Sequence, residues 1–238
     1  MNTALIVAGG SGRRMKKNIR KQYLHLAGRP IIAHTLLAFG NCPHLDNIIV
    51  VLPEKDINIV THNIIPTLDL QKPIRLVPGG KQRQESVYNG LQALYPECRI
   101  VIIHDGVRPF ITSEQITTCI DTAKKDGASI LGIPASDTLK KVSIDGKITA
   151  TLDRRQIWLA QTPQAFKVEI IKQAHYIARQ ENIIGTDDAS LVERLGITVS
   201  IIHGSHKNIK ITTSEDLELC QAMLKSYDST DPESIYKN

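Results

Sequence analysis

The residues best suited to chemistry fall in three short segments. Val7-Ala8-Gly9-Gly10-Ser11-Gly12-Arg13-Arg14-Met15 is a glycine-rich turn directly after an apolar run. Glycines in such a place let backbone N–H groups approach a phosphate, and two arginines add positive charge. No Gly-Lys-Ser/Thr follows, so it is not a P-loop. Its glycines do not fall at G-x-G-x-x-G and a long irregular loop follows, so it is not a Rossmann fingerprint either. Taken alone, the segment also reads as a sharp turn without a ligand. Lys21, in Arg20-Lys21-Gln22-Tyr23, closes the same loop, which puts Arg14 and Lys21 on its two sides. Two cations facing a phosphate can stabilise the charge of a phosphoryl-transfer transition state.

The second segment, His104-Asp105-Gly106-Val107-Arg108-Pro109-Phe110, ends another apolar run. Asp105 is well placed there to hold Mg²⁺ or another divalent cation, which takes one or two carboxylates together with phosphate oxygens and water; a carboxylate that caps a turn is the competing reading. His104 reads as a satisfied polar residue near the core. The third segment is Gly79-Gly80-Lys81-Gln82-Arg83-Gln84-Glu85-Ser86, whose backbone and Ser86 could read a base or a ribose; a plain strand-to-helix turn is the competing reading. The remaining polar clusters are Asp137-Thr138, Asp153-Arg154, Gln161-Thr162-Pro163-Gln164, Thr186-Asp187-Asp188 and Asn208-Ile209-Lys210. Each alone reads as turn chemistry, an N-cap at Thr186 or a solvated lysine at Lys210.

These segments need a scaffold, and the hydrophobic pattern supplies one. Short apolar runs predict strands at Ala4 to Ala8, Ile48 to Leu52, Ile74 to Val77, Ile100 to Ile103, Ser129 to Ile133 and Ile197 to Ile202. Between them Ile32/Leu36/Phe39, Val87/Leu91/Leu94, Ile116/Ile120/Ala123 and Ile170/Ala174/Ile177 follow one helix face. Thr112 with Gln115 predicts a capping box, and Gly196 a C-terminal cap. Alternation of this kind specifies an α/β fold: a Rossmann-like, largely parallel sheet with helices on both faces. Such sheets bind ligands at strand ends, where the three segments lie. Asp137 to Thr151 breaks the rhythm with two β-type runs around Ser143-Ile144-Asp145-Gly146-Lys147, a hairpin projecting from the sheet as an arm of the kind that joins oligomers. From about Tyr227 the chain is polar and reads as a loose tail.

Composition narrows the function classes. The 238 residues carry 29 Lys+Arg against 24 Asp+Glu, a formal charge of +5, with 42% hydrophobic and only 4% aromatic residues. Aromatic content that low leaves few base-stacking platforms, so an anionic small molecule is expected and nucleic acid is not. The four dispersed cysteines form no C-x-x-C pair and read as reduced, mostly buried thiols. The amino terminus has no basic leader, and no segment reaches the roughly 18–20 apolar residues of a membrane helix. A cytoplasmic protein with no membrane partner is therefore expected.

Taken in order, A-G-G-x-G-x-R-M, K-Q-Y, G-G-x-x-R-x-x-S, H-D-G-V-R-P-F, D-T-L-K, Q-T-P-Q-A-F, G-T-D-D-A-S and N-I-K-I-T resemble the 2-C-methyl-D-erythritol 4-phosphate cytidylyltransferases of the non-mevalonate isoprenoid pathway, from about Leu5 to Leu224. The resemblance implies an enzyme in which the phosphate of methylerythritol 4-phosphate attacks the α-phosphorus of CTP in line and releases pyrophosphate. It implies that Arg14, Lys21 and Lys210 are catalytic cations, and that Asp105 holds the metal. Ala8, Gly9, Gly10, Ser11, Gly12, Gly80, Ser86, Asp105 and Gly106 are placed around CTP. Arg108, Thr138, Arg154, Thr162 and Asp187 are placed around the alcohol phosphate, Thr138 and Arg154 lying on the arm of a neighbouring subunit in a homodimer with shared active sites. One cytidylyltransferase domain over 1–226 follows, with 137–158 as a dimerisation arm and 227–238 as a flexible tail.

Two departures from that family stand out. Lys81 replaces an acidic residue frequent after the second Gly-Gly, which puts a side-chain contact to the base there in doubt. Arg20 replaces a proline often found before the lysine, which predicts a more mobile loop. Ribitol 5-phosphate cytidylyltransferases share the first loop, H-D-x-V-R-P-F and Q-T-P-Q. Val107 and Gly9-Gly10 lean towards them, whereas Trp158 and Gly185-Thr186-Asp187-Asp188-Ala189-Ser190 lean towards the methylerythritol group. A basic module that binds nucleotide or RNA without turnover is the non-enzymatic alternative, and it leaves Lys21, Asp105 and Lys210 without a joint role.

Overall fold

A computed structural model of the chain describes residues 1–10 and 20–227. In chain order the elements are β1 (Asn2–Val7), β2 (His25–Leu26), β3 (Arg29–Pro30), α1 (Ile31–Gly40) and β4 (Asn47–Leu52). An irregular helical stretch over 54–67, which includes α2 (Ile57–Ile59), leads to β5 (Ile74–Pro78), α3 (Arg83–Gln92), β6 (Ile100–Asp105), α4 (Ser113–Asp126) and β7 (Ala128–Pro134). Then come β8 (Lys140–Val142), β9 (Ile148–Thr151), β10 (Trp158–Lys167), α5 (Val168–Gln180), α6 (Asp188–Glu193), β11 (Ser200–His203) and α7 (Ser214–Tyr227).

Seven strands form one sheet in the order β11-β7-β10-β6-β1-β4-β5. All neighbours are parallel except β10, which runs antiparallel to both β6 and β7. Because side chains alternate across a strand, β1 sends Ala4 and Ile6 to one face and Leu5 and Val7 to the other. The first face packs on α1, α4 and the 54–67 stretch through Ile32, Leu36, Ile116 and Ile120. The second packs on α3, α5 and α6 through Val87, Leu91, Ile171 and Val192. Strands buried on both faces read as continuous apolar runs, which is why IIVVL of β4 and IVII of β6 were legible. A third, smaller cluster joins Val107 and Phe110 to Ile211, Leu217 and Leu224, so α7 packs under the loops at the strand ends.

The capping box at Thr112 and Gln115 is present. Cys42, Cys98, Cys119 and Cys220 are unpaired and buried. The hairpin stands as β8 and β9, with Gly146 at φ 81° in its turn. Some expectations need correction. The cap of α6 is Asp187, not Thr186. The last strand begins at Ser200 rather than Ile197, because the chain turns at Gly196 with φ 74° and runs irregularly to Val199. Strand β10, which the sequence shows only as a polar cluster, lies in the middle of the sheet; Pro163 and a register shift between Ala160 and Gln164 disguise it. Among the described residues no helix is long and apolar enough to cross a membrane.

Candidate active site

After β5 the chain crosses back over the sheet, so that β6 pairs with the far side of β1 and sets Val7 opposite Asp105. Strand order reverses at that seam, the place where open α/β sheets bind ligands. A cavity of about 370 Å³ opens there, walled by Val7 to Gly10, Lys21, Gln22, Gly80 to Arg83, Ser86, Asp105, Val107 and Lys210. A second cleft of about 440 Å³ shares Gly9, Gly80 and Lys81 with it.

Asp105 is the electrostatic centre. It is buried, and its backbone N–H donates to Thr162 Oγ1 at 3.1 Å. Lys210 Nζ lies 2.7 Å from its Oδ2, Arg83 Nε 3.2 Å from its Oδ1, and Arg108 Nε 3.7 Å from its Oδ2. Burial alone would raise its pKa, but Arg83, Lys210 and Arg108 outweigh that and hold the carboxyl far below the usual range. The group is therefore a carboxylate at any physiological pH. Arg83 also reaches back to Asp188, Nη1 to Oδ2 at 2.7 Å. Burial would lower its pKa, yet the two carboxylates raise it above the ordinary guanidinium value. For Arg108 burial prevails over Asp105 and the pKa falls; its Nη1 donates to the Asn208 carbonyl at 2.7 Å. His104 is neutral, since burial takes its pKa to about 3, and its Nε2 donates to the Arg108 carbonyl at 3.1 Å. It is the core histidine the sequence suggested but only half satisfied, because its buried Nδ1 has no hydrogen-bond partner among the described residues.

The two glycine segments form the opposite wall. The Ser86 hydroxyl accepts from the Gly80 N–H at 3.1 Å and donates to the Gln82 carbonyl at 3.0 Å, so it shapes the 79–82 turn from inside. A Cβ at Gly9 would stand 3.2 Å from Ser86 Oγ, so any larger residue there would make the Ser86 side give by a few tenths of an ångström. Glu85 Oε2 accepts the Lys81 N–H at 2.6 Å, so a carboxylate does reach this turn, from one helical turn along rather than from position 81. Gln82 starts α3 without a capping side chain, which leaves N–H groups of the first turn for an anion. Lys21 Nζ donates to the Ile211 carbonyl at 3.3 Å, and Gln22 Nε2 to the Ala8 carbonyl at 2.8 Å. Arg20, which stands where relatives often carry proline, pairs with Asp56 at 3.2 Å, and the loop whose mobility it is expected to affect lies outside the described residues.

The fold thus gathers Ala8, Gly9, Gly10, Lys21, Gly80, Ser86, Asp105 and Lys210 around one cavity. Gly106, whose N–H donates to the Val7 carbonyl at 2.9 Å, Arg108 and Thr162 sit directly behind it. Asp187 is engaged elsewhere: its carboxylate accepts from Ser190 N at 2.9 Å and Gln164 Nε2 at 2.7 Å to start α6. Thr138 and Arg154 are exposed on the arm, Arg154 donating to the Ser136 carbonyl, and neither lines the cavity of its own chain. Arg14, Ser11 and Gly12 lie outside the described residues. Sequence reasoning gave no role to Arg83, although it stands in G-G-x-x-R-x-x-S. The available signal was its place one residue into a helix that starts at a phosphate-type turn.

Comparison with known proteins agrees over nearly the whole chain. The family model described as 2-C-methyl-D-erythritol 4-phosphate cytidylyltransferase matches residues 2–226. The 2-C-methyl-D-erythritol 4-phosphate cytidylyltransferase of Syntrophus aciditrophicus (strain SB) is 50% identical over 222 residues, covering 93% of this chain and 95% of that protein. The protein of the same name from Geotalea uraniireducens (strain Rf4) is 47% identical over 229 residues, covering 95% and 98%. The crystal structure of the 4-diphosphocytidyl-2C-methyl-D-erythritol synthase from Anaerococcus prevotii matches with a TM-score of 0.84 at 33% identity, covering 94% of this chain and 96% of that one.

Proposed function

The chain belongs to the 2-C-methyl-D-erythritol 4-phosphate cytidylyltransferase family, and we propose that the cavity around Asp105 is where it transfers a cytidylyl group from CTP to 2-C-methyl-D-erythritol 4-phosphate. The products are 4-diphosphocytidyl-2-C-methyl-D-erythritol and pyrophosphate. The matching family favours methylerythritol over ribitol phosphate and an enzyme over a binding module. The observation that carries the site is the convergence of Lys210, Arg83 and Arg108 on one buried carboxylate at a glycine-walled cavity, with Lys21 on its rim.

The reaction brings two anions together. A phosphate oxygen of the alcohol substrate forms a bond to the α-phosphorus of CTP, and the bond from that phosphorus to the bridging oxygen breaks as pyrophosphate leaves. Two like unit charges about 4 Å apart repel by roughly 4 kcal/mol at an effective dielectric constant near 20, so the site must supply compensating cations. Lys21 and Lys210 border the cavity for that purpose, and Arg14 is assigned beside them on the resemblance alone. Lys210 waits on Asp105 with its side chain 37% exposed, which lets it turn to the triphosphate when that stronger anion arrives. Arg83 and Arg108, held at their far ends by Asp188 and the Asn208 carbonyl, keep a fixed positive floor. The Gly9-Gly10 and 79–82 turns, the latter shaped by Ser86, take the cytidine part. No side-chain nucleophile is needed, because the substrate phosphate attacks.

An ionised carboxylate lining the cavity fits a divalent cation that arrives with the triphosphate. Among the described residues no group of three or more His, Cys, Asp and Glu is placed to hold a metal, so nucleotide oxygens and water would complete the shell around Asp105. Such an ion, when bound, neutralises phosphate charge. The exposed apolar residues Val142, Ile144, Ile148 and Leu152 support a homodimer in which the arm carries Thr138 and Arg154 to a neighbour's alcohol phosphate. The buried unpaired cysteines support a cytoplasmic address.

The test is pyrophosphate release from CTP and Mg²⁺ with methylerythritol 4-phosphate or ribitol 5-phosphate as acceptor. Turnover with the first alone is expected. Turnover with ribitol phosphate alone would keep the mechanism and overturn the substrate, and silence with both would overturn the enzyme reading.

A further inference from the structure

The polar network does not stop at Arg83. His175, on the buried face of α5, places Nε2 3.1 Å from Asp188 Oδ1, and both side chains are almost fully buried. Asp188 Oδ2 then meets Arg83, Arg83 meets Asp105, and Asp105 meets Lys210. Five side chains from α5, α6, α3, β6 and the segment after β11 form an unbroken line from the core beneath the sheet to the nucleotide cavity.

Each link has a reason to be there. Among the described residues the Asp188 carboxylate has two side-chain hydrogen-bond partners, His175 and Arg83. Its backbone is fixed separately, since the N–H groups of Asp188 and Ala189 both donate to Gln164 Oε1, at 3.2 and 3.1 Å. The backbone of the first turn of α3 is also fixed separately. Gln84 donates to the Ile183 carbonyl and accepts the Gly185 N–H, both at 2.9 Å. What these ties leave undetermined is the direction of the Asp188 carboxylate and of the long Arg83 side chain. His175 settles the first, and through it the second. His175 is 2% exposed, and a polar ring buried this deeply calls for a partner, so its hydrogen bond to Asp188 is the feature to explain.

We propose that His175 is a positioning residue for cytidylyl transfer: by holding Asp188 it sets Arg83, and through Arg83 and Asp105 it sets Lys210 at the nucleotide cavity. This rests on the reading of that cavity as the CTP site. It makes the nucleotide side of the reaction, and not the alcohol side, sensitive to a residue that touches neither substrate.

The experiment is steady-state kinetics of the full chain, wild type and three variants, with CTP and methylerythritol 4-phosphate varied in turn. His175→Leu is expected to raise the KM for CTP about tenfold and to leave that for the alcohol phosphate within about twofold. His175→Gln, whose amide can donate to Asp188 from nearly the same place, is expected to stay within about threefold of wild type for CTP. Asp188→Asn keeps the side-chain shape, weakens the hold on Arg83, and is expected to reproduce the CTP effect if His175→Leu fails to fold. A merely structural role would lower the active fraction in proportion to lost stability and leave both KM values alone. Wild-type KM for CTP in Asp188→Asn, or equal shifts in both KM values, would overturn the proposal while the wild-type turnover still upheld the site. An inactive wild type would overturn both.

Discussion

Asp105→Asn asks whether one buried carboxylate holds the cations of the site together. In the wild type the group has Lys210 at 2.7 Å, Arg83 at 3.2 Å and Arg108 at 3.7 Å. Asparagine keeps the shape and removes the charge, which leaves three cations facing a neutral amide. Removing one partner of a buried ion pair typically costs about 3–5 kcal/mol. Relief is available here, because the Lys210 and Arg83 side chains are 37% and 30% exposed and Arg83 keeps Asp188. The loss therefore falls mainly on Arg108, whose side chain is 11% exposed. An expected loss of about 2–3 kcal/mol follows, or a fall in Tm of roughly 5–10 °C for a chain of this size. Urea titration and thermal melting read the two quantities. Lys210→Met gives the sign test. Added to the wild type it should cost at most about 1 kcal/mol, because Lys210 is the more exposed partner and Asp105 keeps Arg83 and Arg108. Added to Asp105→Asn it should remove repulsion and cost nothing. A Tm for Asp105→Asn within about 2 °C of wild type would refute the idea that this carboxylate neutralises the cluster.

Ser86→Ala leaves the Gly80 N–H without its acceptor and should weaken CTP by about 0.5–1.5 kcal/mol, read as a several-fold higher KM for CTP with little change in Tm. Asp105 and Asp188 both have pKa values depressed below the ordinary 3.8, Arg83 being the principal partner that outweighs burial at each. A depressed carboxyl contributes its full stability above its unfolded pKa and loses it as pH falls through the folded one. The urea midpoint should therefore hold steady down to about pH 5 and drop below about pH 4, less steeply in Asp105→Asn; an identical acid limb in that variant would count against the assignment. Arg154→Ala should raise the KM for methylerythritol 4-phosphate far more than that for CTP, and equal effects on both would remove the arm residue from the alcohol site.

Much of this architecture was legible because two-sided burial makes parallel strands into apolar runs, and because glycine turns mark their ends. The Gly9-Gly10, Gly79-Gly80 and His104-Asp105 segments could be placed at one sheet edge from pattern alone. Strand β10 could not, because Gln161, Thr162 and Gln164 are polar residues spent inside the sheet. Gln164 accepts the N–H groups of Asp188 and Ala189 at the start of α6, and Thr162 supports Asp105. Long-range pairing hid Arg83 in the same way: its partners Asp105 and Asp188 are 22 and 105 residues away. Nothing in local spacing announces such a bridge. Asp187, grouped by its motif with substrate contacts, is engaged as a helix cap, a role that becomes visible only once the start of α6 is fixed.

The most direct test of the central claim, that the cations bordering this cavity carry the transfer, is the rate of pyrophosphate release by Lys21→Ala beside the wild type, with CTP, Mg²⁺ and methylerythritol 4-phosphate saturating. Loss of one transition-state charge stabiliser should lower kcat by about 10²–10³-fold while the protein stays folded. Near-wild-type turnover would contradict the account and move the chemistry away from this cavity.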